Sequence, residues 1–193
     1  MALWRDDSPT IELETRDLIL RAPRAEDYEA WAKLRAASRR RTEPWEPSWT
    51  EDELTRTSYR GRMRRYDLDW KEGRGAPFFV VRKRGGLVVG ACNLNNIKRG
   101  VMQSADIGYW IGTPYIRQGY ARQAIRRVLA FAFNDLQLNR IEAAVQPDNT
   151  ISRTLLEDIG FCHEGLARKF LYIAGEWRDH DKLALLSADP IRG

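Results

Sequence analysis

A chain of 193 residues, 43% apolar and 31% charged, has the size and profile of one soluble domain with a full core. No apolar run approaches the length of a membrane span, and the opening MALWRDDSPT has two acids and no hydrophobic stretch, so neither a membrane segment nor a secretion signal is expected. The net charge of +5 gathers at Arg39-Arg40-Arg41 and at Arg60, Arg62, Arg64 and Arg65: either solvated helix surface, or a surface that attracts a polyanion such as a nucleotide or ribosomal RNA.

RDLILRA (Arg16–Ala22) alternates, with Leu18 and Leu20 on one face, and predicts a first strand. EDYEAWAKLRAASRR follows as a helix with Ala30, Trp31, Leu34 and Ala37 on its inner stripe. TEPWEPSW (Thr42–Trp49) has prolines on either side of Trp45 and Glu46 and predicts a rigid loop. TEDE, Thr50–Glu53, has the spacing of a capping box, opening a second helix with Leu54, Tyr59, Met63, Tyr66 and Trp70 inward.

PFFVVRK and LVVGACNLNNIK then predict a hairpin turning at RGG, and SADIGYWI (Ser104–Ile111) a further strand with Ile107, Tyr109 and Ile111 on one face. A long helix carries Ala121, Ala124, Ile125, Val128 and Ala132 inward. RIEAAV is a strand, NTISRTLLEDIG a short helix stopped at Gly160, and LARKFLYIAGEWRDHDKLALL a closing hairpin turning at Ala174-Gly175-Glu176. With no repeat and no interdomain linker, the expectation is a single α+β domain over 1–193, its mixed sheet interrupted once in the middle.

Two cysteines, Cys92 and Cys162, lack CxxC spacing, and with His163 and His180 they make no metal set. Small buried thiols in a reducing cytoplasm are expected, and no metal. The interruption is the informative stretch. Between the SADIGYWI strand and the long helix lies Arg117-Gln118-Gly119-Tyr120-Ala121, with a lone glycine and none of the Ser, Asp or Asn that normally cap a helix. Uncapped amides at a helix N-terminus, flanked by Arg117 and Arg122, suit a phosphate-bearing ligand. The loop is neither GxxxxGK[ST] nor GxGxxG, so the common nucleotide motifs are excluded.

The segment Ile116–Ala121 resembles the Q/R-x-x-G-x-G/A motif of the GCN5-related N-acetyltransferases, and QPDNTISRTLLEDIGF is similar to the next motif of that superfamily. More narrowly, PWEP, GACNLNNIKRG, IGYWIG, PDNTISRTLLEDIGF and EGLARKFLYIAGEWRDH resemble the RimJ-type ribosomal-protein-alanine N-acetyltransferases, from about Thr15 to Leu186. The resemblance implies a mixed, mostly antiparallel twisted sheet flanked by about four helices, and metal-free transfer of an acetyl group from acetyl-CoA to an amine. It further implies that the amides of Arg117, Gln118, Gly119, Tyr120, Ala121 and Arg122 hold the pyrophosphate and that Ile111 offers backbone bonds to the pantetheine arm. Asn149 would touch the cofactor, and Ser152 would place a hydroxyl beside the sulfur. Ile116 departs from the motif's Gln or Arg, and Leu171 stands where some related N-terminal acetyltransferases place a catalytic Glu.

The departure at Leu171 bears on the acceptor. An α-amine with pKa near 7.8 is about 30% neutral at pH 7.4, whereas a lysine amine is about 0.1% neutral. An α-amine therefore manages with water as proton carrier, and the favoured acceptor is a protein N-terminus, alanine in the RimJ-like reading. Asp106 and Glu46 are substitute bases or acceptor-positioning groups; Trp45, Trp110, Tyr109 and Tyr172 are candidate walls of an acceptor groove. Ser152 also reads as a first-turn residue with Asn149 as N-cap. The alternatives are a small amine (polyamine, aminoglycoside or amino acid) as acceptor, or a non-catalytic CoA- or RNA-binding factor on the ribosome. Ribosome association, a cytoplasmic location without membrane attachment, and either a monomer or a dimer fit the sequence.

Overall fold

A computed structural model describes residues 11–192. The N-terminal stretch MALWRDDSPT, read as free of a secretion signal, lies outside them. Eight strands form one sheet: β1 (Glu12–Glu14), β2 (Leu18–Arg21), β3 (Ala76–Arg82), β4 (Leu87–Lys98), β5 (Ser104–Ile111), β6 (Arg140–Val145), β7 (Cys162–Ile173) and β8 (Glu176–Leu186). Their order is β1-β2-β3-β4-β5-β6-β8-β7, antiparallel throughout except for β5 and β6. Four helices accompany them: α1 (Tyr28–Thr42), α2 (Arg56–Lys71), α3 (Tyr120–Ala130) and α4 (Thr150–Ile159).

β3 reads APFFVVR and is buried on both faces because helices cover both sides of the sheet. On one side Phe78, Val80, Cys92, Leu94 and Ile107 meet Ile125, Val128 and Leu129 of α3 and Leu156 and Ile159 of α4. On the other, Phe79, Val81, Val88 and Ala91 meet Trp31 and Leu34 of α1 and Tyr59 of α2. Trp110 packs on that second layer and Tyr109 on the first, as strand alternation requires.

Three expectations change. The helix expected from Thr50 starts at Arg56, with Thr55 as N-cap accepting from Ser58 N at 3.2 Å. The Thr50 hydroxyl bonds the Asp52 carboxylate at 2.7 Å, and Asp52 reaches on to Ser58 Oγ at 2.6 Å, so local side-chain bonds close a turn before the helix begins. The inner stripe of α1 is Trp31, Leu34, Arg35 and Ser38, with Ala30 and Ala37 exposed. Two polar residues take the inward positions because each has a partner there. Finally, β1 is a three-residue strand fixed by its ladder to β2 (Leu13 opposite Leu20), not by any pattern of its own.

Candidate active site

β5 and β6 pair over three residues only, Ser104–Asp106 against Arg140–Glu142. Beyond that point β5 continues along β4, to Ile111 opposite Gly90, while β6 continues along β8, to Val145 opposite Asp181. The two strands therefore part, and the facing backbone groups of Ile107–Ile111 are left without a strand partner. The far end of β5 is pinned to both β4 and α1: Gly112 N donates to Val89 O of β4 at 2.8 Å and Thr113 N to Ser38 Oγ of α1 at 3.0 Å. A Cβ on Gly112 would lie 2.3 Å from Leu34 Cδ1, so only glycine lets α1 come this close.

At the open end of this wedge lies the Gly119 loop. Arg117 has φ +60° and Gly119 φ +74°, and no side chain caps α3. The first intrahelical bond of α3 is Gln123 N to Gly119 O at 3.1 Å, which leaves the amides of Tyr120, Ala121 and Arg122 open. A Cβ built on Gly119 meets nothing within 4 Å, so the space over the loop is clear of protein. These features fit a bound pyrophosphate: free amides, a helix N-terminus and room. Arg117, Gln118 and Gly119 are exposed at this mouth, whereas the Arg122 guanidinium turns to Asp158 of α4 at 2.8 Å, tying the two helices together.

Across the wedge stands α4. Asn149 caps it, Oδ1 accepting from Ser152 N at 3.3 Å, and its amide nitrogen is the atom left for a ligand. Ser152 Oγ lies 2.6 Å from Tyr109 Oη, a hydroxyl pair in which either can donate. Burial pushes the Tyr109 phenol up to about 12, against the smaller opposing pull of its bond to Ser152, so it remains a neutral phenol at physiological pH. Tyr109, read as an acceptor wall, is the hydrogen-bond partner of Ser152 on the α3 and α4 side of the sheet. The turn bearing Ser152 is braced by Arg153, which donates to buried Asp181 at 2.9 Å; His163 Nε2 pairs with the same carboxylate at 3.1 Å.

The opposite face holds the Thr42–Trp49 loop. Arg35, only 5% exposed, lies between two indoles, 4.6 Å from the Trp49 ring centre and 4.9 Å from that of Trp110. Its Nη2 donates to Glu46 Oε1 at 2.8 Å, and Trp49 Nε1 donates to the same oxygen at 2.7 Å. The loop backbone is tied to the sheet as well: Gln146 Nε2 donates to Pro44 O at 3.1 Å and Ala174 N to Glu46 O at 3.2 Å. Trp45 is exposed beside them. Tyr172 lies elsewhere on the hairpin: it packs edge-on against Trp177 at 5.6 Å and, by alternation, points away from buried Ile173. Asp106 accepts from Asn96 Nδ2 at 2.8 Å where β5 and β6 part, and Leu171 is exposed on β7. Arg35, Ser38 and Trp49 were missed in sequence; the legible sign was Arg and Ser at inward helical spacing behind Trp31 and Leu34.

Residues 17–162 match the family model of the acetyltransferase (GNAT) domain. YjcK, a probable N-acetyltransferase of Bacillus subtilis, is 32% identical over 177 residues, covering 92% of this chain and 98% of its own. The ribosomal protein uS5-alanine N-acetyltransferase of Escherichia coli is 29% identical over 188 residues, 96% of each chain. Among solved structures, Mycobacterium smegmatis RimJ in complex with CoA-disulfide superposes with a TM-score of 0.83 at 35% identity, over 88% of this chain and 81% of that one.

Proposed function

The chain belongs to the GNAT family and is an acetyl-CoA-dependent N-acetyltransferase, and from that premise we propose that its acceptor is the α-amine of a protein N-terminus, of the ribosomal-protein-alanine type. The observation that carries the site assignment is the parting of β5 from β6, which leaves a backbone edge running from the uncapped α3 amides to the Ser152 hydroxyl.

In this reading the amides of Arg117 to Arg122 hold the pyrophosphate, with Gly119 as the residue that keeps the approach open. The free edge of β5 at Ile111 offers hydrogen bonds to the pantetheine arm, and Asn149 contributes its amide nitrogen. Acetyl-CoA supplies an activated acyl group as a thioester. As the neutral acceptor nitrogen bonds the acetyl carbon and the carbon–sulfur bond breaks, Ser152 gives its proton to the departing sulfur. The proton released from the nitrogen passes through water and restores the serine, and Tyr109 donates to Ser152 Oγ so that the serine proton points outward. Trp45 and Glu46 meet the acceptor from the other face.

The α-amine is favoured because a usable fraction of it is neutral without a dedicated strong base. The E. coli relative, named for alanine acetylation of uS5, supports the same acceptor class. Exposed Arg60, Arg64 and Arg65 on α2 offer a cationic face for association with the ribosome. The deciding experiment measures CoA release with N-terminal peptides, polyamines and aminoglycosides, and maps the product by mass spectrometry. Acetyl on the α-amine of an Ala- or Ser-initiated peptide is expected; turnover with polyamines alone overturns the assignment.

A further inference from the structure

Both donors to Glu46 land on one oxygen. Arg35 Nη2 and Trp49 Nε1 bind Oε1, while no described residue bonds Oε2, and the Glu46 side chain keeps 25% of its surface exposed. The guanidinium behind it is sealed between the rings of Trp49 and Trp110. Trp110 immediately precedes Ile111 on β5, so a single buried cation joins the acceptor loop to the strand that offers the cofactor edge. A buried ion pair is a poor device for stability alone, but this one fits a particular chemical need.

The acceptor must be both bound and neutral. An isolated carboxylate beside an amine favours the ammonium form, which cannot attack a thioester. A carboxylate already paired with a fixed guanidinium still accepts a hydrogen bond, while its pull on the amine's proton is largely offset.

The other charges around Glu46 are paired among themselves. On α1 Arg39 bonds Glu43 of the same loop at 2.9 Å, and on α2 Arg62, which feels the Glu46 charge, bonds Glu53. On the hairpin Arg178 bonds Glu176, and burial lowers the pKa of His180, favouring its neutral form; β6 contributes the uncharged Gln146.

We propose that Arg35 and Glu46 form a charge-balanced anchor for the acceptor amine, in which Glu46 Oε2 accepts from the amine and Arg35 is the positioning residue that fixes and offsets the carboxylate. The anchor rests on the reading above in that an amine enters on this face of the sheet; it does not depend on that amine being a protein N-terminus.

The test is the pH profile of kcat, which reports ionisations in the bound complex, at saturating acceptor in three variants of the full chain. Arg35→Met keeps a flexible stem between the indoles, and Trp49 still holds Glu46. The unbalanced carboxylate should then move the profile about one unit to higher pH and lower the rate at pH 7 roughly tenfold. Glu46→Gln leaves the cation unbalanced, so the profile should move to lower pH while the acceptor KM rises and the acetyl-CoA KM stays within about twofold. The double variant should return the midpoint close to that of the wild type.

Shifts of opposite sign in the two single variants, cancelling in the double, are the expected result. Single variants that both leave the profile in place, or both move it the same way, overturn the anchor. If Arg35→Met does not fold, the direction of the Glu46→Gln shift decides alone. Should the wild type acetylate lysine or a polyamine instead of an α-amine, the N-terminal reading falls, and the same three profiles taken with that amine still decide the anchor.

Discussion

Tyr109 Oη stands 2.6 Å from Ser152 Oγ, joining the strand that leaves the sheet pairing to the first turn of the helix that faces it. The two residues are 43 positions apart in sequence, and they meet only because β5 and β6 diverge beneath them.

Tyr109→Phe removes the donor and keeps the ring. With the phenol's pKa near 12, no loss of activity from its ionisation is expected below about pH 11 in the wild type. The variant should lower kcat about threefold to tenfold with the acetyl-CoA KM unchanged, and Ser152→Ala should lower it about tenfold to a hundredfold. Stopped-flow or steady-state CoA release separates the two. An unaffected kcat in Ser152→Ala would return that serine to a capping-turn role.

Gly119→Glu places a carboxylate where the pyrophosphate is to sit and forces a side chain into φ +74°. Acetyl-CoA affinity should fall by a hundredfold or more by calorimetry, against a stability loss of roughly 1–2 kcal/mol from backbone strain. Gly119→Ala, which meets nothing within 4 Å, should show the strain with most of the affinity retained. Equal affinities in Gly119→Glu and wild type would remove the loop from the cofactor site.

Gly112→Ala drives a methyl into Leu34, 2.3 Å away. Overpacking of this kind costs about 1–3 kcal/mol. Because Leu34 and Arg35 share one turn of α1, the acceptor KM should rise as well. Urea unfolding and acceptor kinetics in the same preparation check both; a stability near that of wild type would mean α1 yields freely.

His180 supplies a pH dependence with a definite sign. Burial lowers its pKa below 6.5, and Nδ1 pairs with Arg178 O at 3.0 Å. In the unfolded chain the imidazole binds a proton below about pH 6.5, while in the folded chain it resists. Stability should therefore fall as pH drops through 6.5 and level off below the folded pKa. His180→Phe should flatten that segment of the curve; an unchanged slope between pH 6.5 and 5 would assign the acid sensitivity to other groups.

The acceptor class gives a fifth solution test. For a peptide with a free N-terminal alanine and an internal lysine, rate should rise through the α-amine pKa near 8, not through a carboxylate value near 5. Tandem mass spectrometry should find the acetyl group on the α-amine. Acetyl-lysine as the main product would contradict it.

What was legible in the chain was whatever local chemistry writes locally. Alternation in SADIGYWI, the 3.6-residue spacing behind Gly119 and the missing cap at that helix predict a strand, a helix and uncapped amides between them, and each stands there. The cap at Asn149 is likewise a matter of three residues. The Thr50 box failed because its side chains bond within a turn of their own, a competition that residue spacing does not decide. The tertiary structure alone decided which distant groups meet. It parted β5 from β6 because each follows a different neighbour, set Tyr109 on Ser152, and turned an inward arginine into the partner of Glu46. A buried guanidinium is tolerable only where a carboxylate and two aromatic faces converge on it, and that convergence of α1, β5 and the acceptor loop exists only once the sheet has formed.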